Sequence, residues 1–312
     1  MLKFAPNEVE AALLYPGPCP DVPFPDLLDR LNAAFRGGLE PFRYAAFSTE
    51  DSTTFVGSDL LVLISKNARP LSPAGFAASL ASPYTRMTFE AAEATVARHR
   101  SNVSITVSND PLSDETGRRP AAGLRESAQS REIFDRKLEI CKLLAHLLCE
   151  RAEPSAIHWR QSDQILRPGH FKALAELAPL PTPLFVHPHF FSSNKIVGEK
   201  RAIGARGVGA EHLINSSVIF NETPASYRWI YERICAFVDL TRARKGGLLP
   251  DGDVFGVEEN EVIRVRHEEP TEADPAGVVY LTLESSDEIA LAPPPAFRDA
   301  GHFGRRQFRF YQ

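Results

Sequence analysis

Two histidines, His187 and His189, lie two residues apart in the segment VHPHFF and are candidate metal ligands. On a β-strand this spacing places both imidazoles on one face of the sheet. Pro188 between them predicts that the strand lies at an edge of its sheet or ends there. Glu211 and His212 follow in GAEHL, and they could complete the three or four donors that zinc requires. The alternative interpretation is two partly buried histidines at the end of a strand.

A glycine-rich passage, GEKRAIGARGVG, carries three cations, Lys200, Arg201 and Arg206. Glycines allow the backbone to approach an anion closely, and the cations would neutralise its charge. The passage matches neither GxGxxG after a strand nor GxxxxGK[ST], so neither nucleotide-binding motif is met. It is interpreted either as an anion-binding loop or as an ordinary surface loop.

An aromatic pair, Tyr227 and Tyr231, lies one turn apart on a helix predicted over Pro224–Arg244, with Thr223 as its cap. If that helix face is exposed, the tyrosines are expected to bind a protein partner, because aromatic anchors dominate interface energetics. Packing in the core is the alternative.

The sequence favours no nucleophilic enzyme. It contains no GxSxG motif, which the serine hydrolases of the α/β class carry on a strand-to-helix turn. Four cysteines are scattered without a CxxC pair, which predicts reduced, packed thiols and a cytoplasmic location. They are Cys19, Cys141, Cys149 and Cys235.

Composition restricts the partner class. Of the 312 residues, 43% are hydrophobic and 24% are charged, which is typical of soluble globular proteins. The net charge of −5 disfavours a nucleic-acid partner, whose binding site is usually basic. No apolar run approaches the roughly 20 residues of a membrane helix, and no secretory signal peptide is recognised. We therefore expect neither a nucleic-acid nor a membrane partner.

Short apolar runs bounded by turn residues alternate with amphipathic segments, which predicts an α+β fold with mixed or antiparallel sheets covered by helices. The predicted organisation is an N-terminal half over 1–108, a linker or loop over 109–131, a C-terminal domain over 132–284 and a tail rich in Pro and Arg over 285–312. Arg69–Pro83 and Arg167–Pro179 resemble each other, which indicates either two related halves or two ordinary amphipathic helices.

A family resemblance covers residues 132–283. It is carried by a Leu-rich helix followed by IHWRQSDQILRPGHF, PLFVHPHFF, ARGVGAEHLI, SYRWIYERICAFVDL and DGDVFGVEENEVIRVRHEE…GVVYLTL. These landmarks resemble a bacterial family catalogued as a domain of unknown function, family 4261. The resemblance implies a soluble bacterial protein of α+β character and supplies no catalytic residues. The run from Asp251 to Glu284 is interpreted as sheet scaffold.

Two functions from different classes follow from these residues. The favoured one is a protein-interaction factor without catalysis, such as an immunity, adaptor or secretion-associated protein, which needs no cofactor. The alternative is a metal-dependent hydrolase that holds zinc with His187, His189, Glu211 and His212.

Overall fold

The fold class predicted from the sequence is confirmed, because helices cover mixed and antiparallel sheets. A computed structural model describes residues 2–36, 41–45, 48–109, 130–197 and 199–286. The described residues divide into two compact units, the first over Lys3–Phe185 and the second from Val186 to Ser286. None of the described helices is long and apolar enough to span a membrane.

Unit 1 is built on a seven-stranded antiparallel sheet with the strand order β2-β3-β4-β5-β1-β6-β7. Its elements are β1 (Glu8–Tyr15), α1 (Phe24–Ala34), β2 (Arg43–Tyr44), β3 (Ser52–Val56), β4 (Leu60–Asn67), α2 (Ala77–Ala81), α3 (Pro83–Thr88), α4 (Ala92–Arg98), β5 (Ser101–Asn109), α5 (Arg131–Arg151), β6 (Ala156–Trp159), β7 (Gln164–Leu166), α6 (Pro168–Leu177) and α7 (Thr182–Phe185). Two 3-10 turns, Pro73–Phe76 and Arg160–Ser162, precede α2 and β7.

The border between the units lies elsewhere than the sequence predicted. Helix α5 packs on β1 and β5, and β6 pairs with β1 in antiparallel register. The segment 131–185 therefore completes the sheet of unit 1 and does not start a C-terminal domain. The predicted linker is described only at its ends, since 110–129 lie outside the described residues, as does the predicted tail from 287.

The two resembling segments lie within the same unit. Arg69–Pro83 contains the first 3-10 turn and α2, whereas Arg167–Pro179 contains α6. The resemblance between these segments therefore does not relate unit 1 to unit 2, and the idea of two related halves stays a prediction.

A lysine is buried in unit 1. Lys137 on α5 is fully buried, and its Nζ donates to the carbonyl oxygens of Pro6 and Asn7, each at 3.0 Å. Burial lowers the pKa of Lys137 to about 7. The side chain thereby ties the segment before β1 to α5.

Unit 2 is built on a mixed six-stranded sheet with the order β13-β14-β15-β12-β11-β8, in which β12 and β15 are parallel. Its elements are β8 (His187–Phe191), β9 (Ile196–Val197), β10 (Lys200–Arg201), β11 (Ile203–Val208), α8 (Ala210–Ile214), β12 (Ser217–Thr223), α9 (Tyr227–Ala243), β13 (Val254–Phe255), β14 (Val262–Glu268) and β15 (Val278–Ser285). Strands β9 and β10 form a separate two-stranded sheet.

Helix α9 covers one face of this sheet. It begins at Tyr227, later than predicted, because the Ser226 hydroxyl accepts a hydrogen bond from the Trp229 amide at 3.2 Å and caps the helix. The Trp229 ring meets Phe220 of β12 edge to face, with the centroids 5.7 Å apart. A Cβ atom on Gly207 of β11 would lie 2.8 Å from Cγ2 of Ile234, so only glycine permits this close approach of helix and sheet.

A buried ion pair joins α9 to the connection between β13 and β14. Arg233, with 5% of its side chain exposed, donates through Nε and Nη2 to Glu261, which is 0% exposed. The guanidinium carbon of Arg233 also lies 4.6 Å from the Trp229 ring centroid. A Cβ on Gly256 would lie 2.1 Å from the Glu261 carbonyl oxygen, so this connection requires glycine at 256. The run DGDVFGVEENE thus has a structural role, as the sequence predicted.

We expect Glu261→Ala to destabilise unit 2 by up to about 3–5 kcal/mol, because the buried Arg233 charge then keeps only its ion pairs with the more exposed Glu232 and Glu258. Each unit contains one tryptophan, Trp159 or Trp229, so denaturant unfolding followed by fluorescence in a Trp159→Phe background reports on unit 2. The matched control is Glu272→Ala at an exposed position, with an expected change within about 0.5 kcal/mol. Equal unfolding midpoints for the two variants would contradict a stabilising role of the pair.

Candidate functional site

The two predicted histidine ligands lie on β8, the edge strand of the sheet, as Pro188 predicted. His187 is buried, His189 is half-buried, and their rings meet edge to face with centroids 5.2 Å apart. Both therefore lie on one face of the strand, in agreement with the spacing argument.

Glu211 and His212 lie on the short helix α8, which follows β11. Glu211 accepts a hydrogen bond from the Gly209 amide at 3.1 Å, and its other carboxylate oxygen is 4.0 Å from Nε2 of His212. Within the described ranges, no group of three or more His, Cys, Asp or Glu side chains could hold a metal ion. The structure forms two pairs from the four predicted ligands and no common centre, so zinc stays a sequence-based hypothesis without a supporting geometry.

Arg206 does not belong to an anion-binding loop. Its Nη2 donates to Asp274 at 2.5 Å and to the Ser217 hydroxyl at 3.1 Å, and that hydroxyl donates to Asp274 at 3.1 Å. Asp274 belongs to the turn between β14 and β15. The Arg206 charge is thus balanced within the chain, and the side chain ties this turn to β11 and β12.

Lys200 and Arg201 lie on a short extension between β8 and β11, which we call the arm (residues 192–197 and 199–202). Both cations are exposed, and neither makes an ion pair with any residue that the structure describes. Arg201 is directly opposite Ile196 in the antiparallel pair of β10 and β9, so the two side chains share a face. Ile196 is 70% exposed.

The arm is held in one conformation by its own hydrogen bonds. The Ser192 hydroxyl donates to the Ala202 carbonyl at 2.8 Å, and the Ala202 amide donates to the Lys195 carbonyl at 2.7 Å. Asn194 adopts the left-handed conformation, with φ of 66°, which asparagine tolerates better than most residues. These bonds fix the direction in which the exposed side chains project.

Glu222 of β12 ties the arm to the sheet. Its carboxylate accepts one hydrogen bond from the Ser193 hydroxyl, at 2.6 Å, and a second from the Ser193 amide. These two bonds hold the pKa of Glu222 below its ordinary value. The carboxylate must be ionised to accept both, so the tie is strongest when Glu222 is charged.

A second exposed apolar side chain, Phe191, lies at the base of the arm. It ends β8 and is 45% exposed. A Cβ on Gly204 of β11 would lie 2.5 Å from the Phe191 ring, so glycine allows the ring to rest directly on the neighbouring strand. One side of the ring packs on β11, while the rest faces solvent.

The two tyrosines predicted to bind a partner, Tyr227 and Tyr231, do not form an exposed aromatic surface. Tyr231 is only 7% exposed, and its hydroxyl donates to the Val186 carbonyl at 2.8 Å, so its assignment to a partner surface was wrong. Tyr227 is half-buried and packs edge to face on Phe190 at 4.7 Å between centroids. The exposure of Ile196 could not be predicted because its segment, SSNKIVGEKR, has no amphipathic period.

The three cysteines that lie on helices are packed in the interior, as the sequence predicted. Cys141, Cys149 and Cys235 are buried. Burial raises the pKa of each, to about 12 for Cys149, so the thiolate that a nucleophile needs is absent at neutral pH.

We expect the tie between Glu222 and the arm to be present above the ordinary glutamate pKa of 4.5 and to be lost as pH falls through the lowered value. The amide proton resonance of Ser193, followed by NMR between pH 2 and pH 7, should therefore titrate below the ordinary pKa. Glu222→Gln should abolish this titration, whereas Glu232→Gln on α9 should leave it intact. A Ser193 amide that titrates at or above the ordinary value would contradict the tie.

Comparisons with protein-family models, with curated proteins and with solved structures found no match to this chain. The resemblance to the domain of unknown function, family 4261, therefore stays a prediction. Any functional assignment accordingly depends on the geometry of the chain itself.

Proposed function

We propose that this chain is a protein-interaction factor without catalysis, in an immunity, adaptor or secretion-associated role, and that its partner binds the arm of unit 2. The observation that carries the proposal is Ile196, which is 70% exposed on a hairpin held by hydrogen bonds. Full burial of such a side chain would contribute a favourable free energy of roughly 1.5–3 kcal/mol, which the free chain does not gain.

The surroundings of Ile196 have the composition of a binding surface. Phe191 supplies a second, partly exposed apolar group at the base of the same arm, and Arg201 lies directly opposite Ile196. Protein interfaces combine an apolar centre with a polar rim and are enriched in aromatic residues and arginine. Since the arm is ordered by its own contacts, binding a partner requires little further loss of conformational freedom.

Charge indicates the kind of partner. Lys195, Lys200 and Arg201 give the arm three exposed cations, against the carboxylate of Glu199 and that of Glu222, which is bonded to Ser193 of the arm, although the chain as a whole carries −5. Complementary charge steers encounter and excludes wrong partners. The proposed partner is therefore a protein with an acidic rim around an apolar recess. Because the arm's charges are exposed, we expect association to slow as salt increases.

The hydrolase alternative lacks a comparable observation. The described part of the chain gathers no three metal-ligating side chains, and Arg206 is engaged by Asp274. No second function is proposed.

The partner can be identified by placing a photo-cross-linking amino acid at position 196 and, as the control, at position 177. Leu177 of unit 1 is also an exposed apolar residue, at 56%. We expect one acidic protein of the native host to be captured through position 196 and not through position 177.

Binding of the purified partner should then depend on Ile196. We expect Ile196→Ser to weaken binding by tenfold or more, which corresponds to at least about 1.4 kcal/mol, and Leu177→Ser to have no effect. Arg201→Glu should slow association most at low salt. Equal affinities of the Ile196→Ser and Leu177→Ser variants, measured by calorimetry, would refute the proposal, as would capture through both positions.

A further inference from the structure

Unit 1 contains an open surface cavity of about 650 Å³ near the end of α3 and the start of α6. Its lining residues are Met87, Thr88, Arg167, Gly169 and His170. A Cβ on Gly169 would meet no atom within 4 Å, so the space beside this residue is open. Met87 is 60% exposed and gives the cavity one apolar border.

Two side chains that can donate hydrogen bonds to an anion line this cavity. Arg167 is exposed and His170 is half-buried, and neither makes an ion pair or a side-chain hydrogen bond with any residue that the structure describes. Burial and the charge of Arg167 lower the pKa of His170, so its imidazole is neutral at neutral pH. The positive charge of the cavity is therefore that of Arg167, which no carboxylate among the lining residues balances.

The hydroxyl of Thr88 is already committed. It donates to the carbonyl oxygen of Tyr84 at 2.9 Å, which leaves Arg167 and His170 as the side-chain hydrogen-bond donors among the lining residues. A guanidinium offers paired N–H groups whose geometry matches two oxygens of one oxyanion. A neutral imidazole can donate one further hydrogen bond.

We propose that this cavity binds a small phosphate ester, with Arg167 and His170 as donors to the phosphate oxygens. Met87 contacts the organic group of the ester, which explains an apolar border beside Arg167 and His170. The phosphate balances the Arg167 charge and accepts a hydrogen bond from the His170 ring. This site lies in unit 1 and is independent of the partner proposed for the arm of unit 2.

Bound phosphate changes the titration of His170 in a defined direction. Without an anion, the neighbouring Arg167 and burial disfavour the imidazolium. A phosphate group attracts the imidazolium, so binding must raise the His170 pKa.

The probe for the experiment is inorganic phosphate, compared with chloride at equal ionic strength. In protein with ¹³C-labelled histidine, the His170 signal is assigned with His170→Gln and is titrated between pH 5 and pH 8 by NMR. We expect the His170 pKa to lie below the ordinary value of 6.5 in chloride and to rise in phosphate. His146 of α5, elsewhere in unit 1, should not respond.

Arg167→Gln should abolish the phosphate response, whereas Arg98→Gln, at an exposed arginine of α4, should retain it. Far-UV circular dichroism of both variants establishes that they fold equally. An unchanged His170 pKa in phosphate, an equal response of His146, or a full response of the Arg167→Gln variant would overturn the proposal.

Discussion

The buried ion pair of Arg233 and Glu261 is the contact on which unit 2 depends. It fixes the connection between β13 and β14 against α9, and α9 in turn covers the sheet whose edge strand carries the arm. Burial raises the pKa of Glu261, and the Arg233 guanidinium opposes this effect. Two charges removed from water contribute little net stability when paired, yet each is strongly destabilising without the other. The pair therefore specifies how helix and sheet fit together more than it strengthens them.

The elements with a regular hydrophobic period could be predicted from the sequence. The helix predicted over Pro224–Arg244 is Tyr227–Ala243, because the amphipathic period of a helix is a local property. The border of the units could not be predicted. It follows from the pairing of β1 with both β5 and β6, and such pairings between distant segments leave no mark in the local pattern.

The candidate site, too, could be predicted from the sequence only in part. The spacing of His187 and His189 and the proline between them predicted one shared face on an edge strand, and both features are present. Spacing could not show that Arg206 meets Asp274, which is 68 residues away in the chain, or that Tyr231 is buried beneath Val186. Exposure of Ile196 is also a tertiary property, since the surrounding polar residues give it no amphipathic pattern. Sequence thus identified the segment that carries the arm but not the residues that project from it.

The proposed binding of a protein partner by the arm, through an apolar residue beside cations, is tested most directly by amide hydrogen exchange. The measurement compares the free chain with the chain bound to its captured partner. We predict that the arm and the end of β8 at Phe191 gain protection on binding, while the backbone amides of Arg167 and His170 keep their exchange rates. Protection that appears elsewhere, with unchanged exchange in the arm, would contradict binding at the arm.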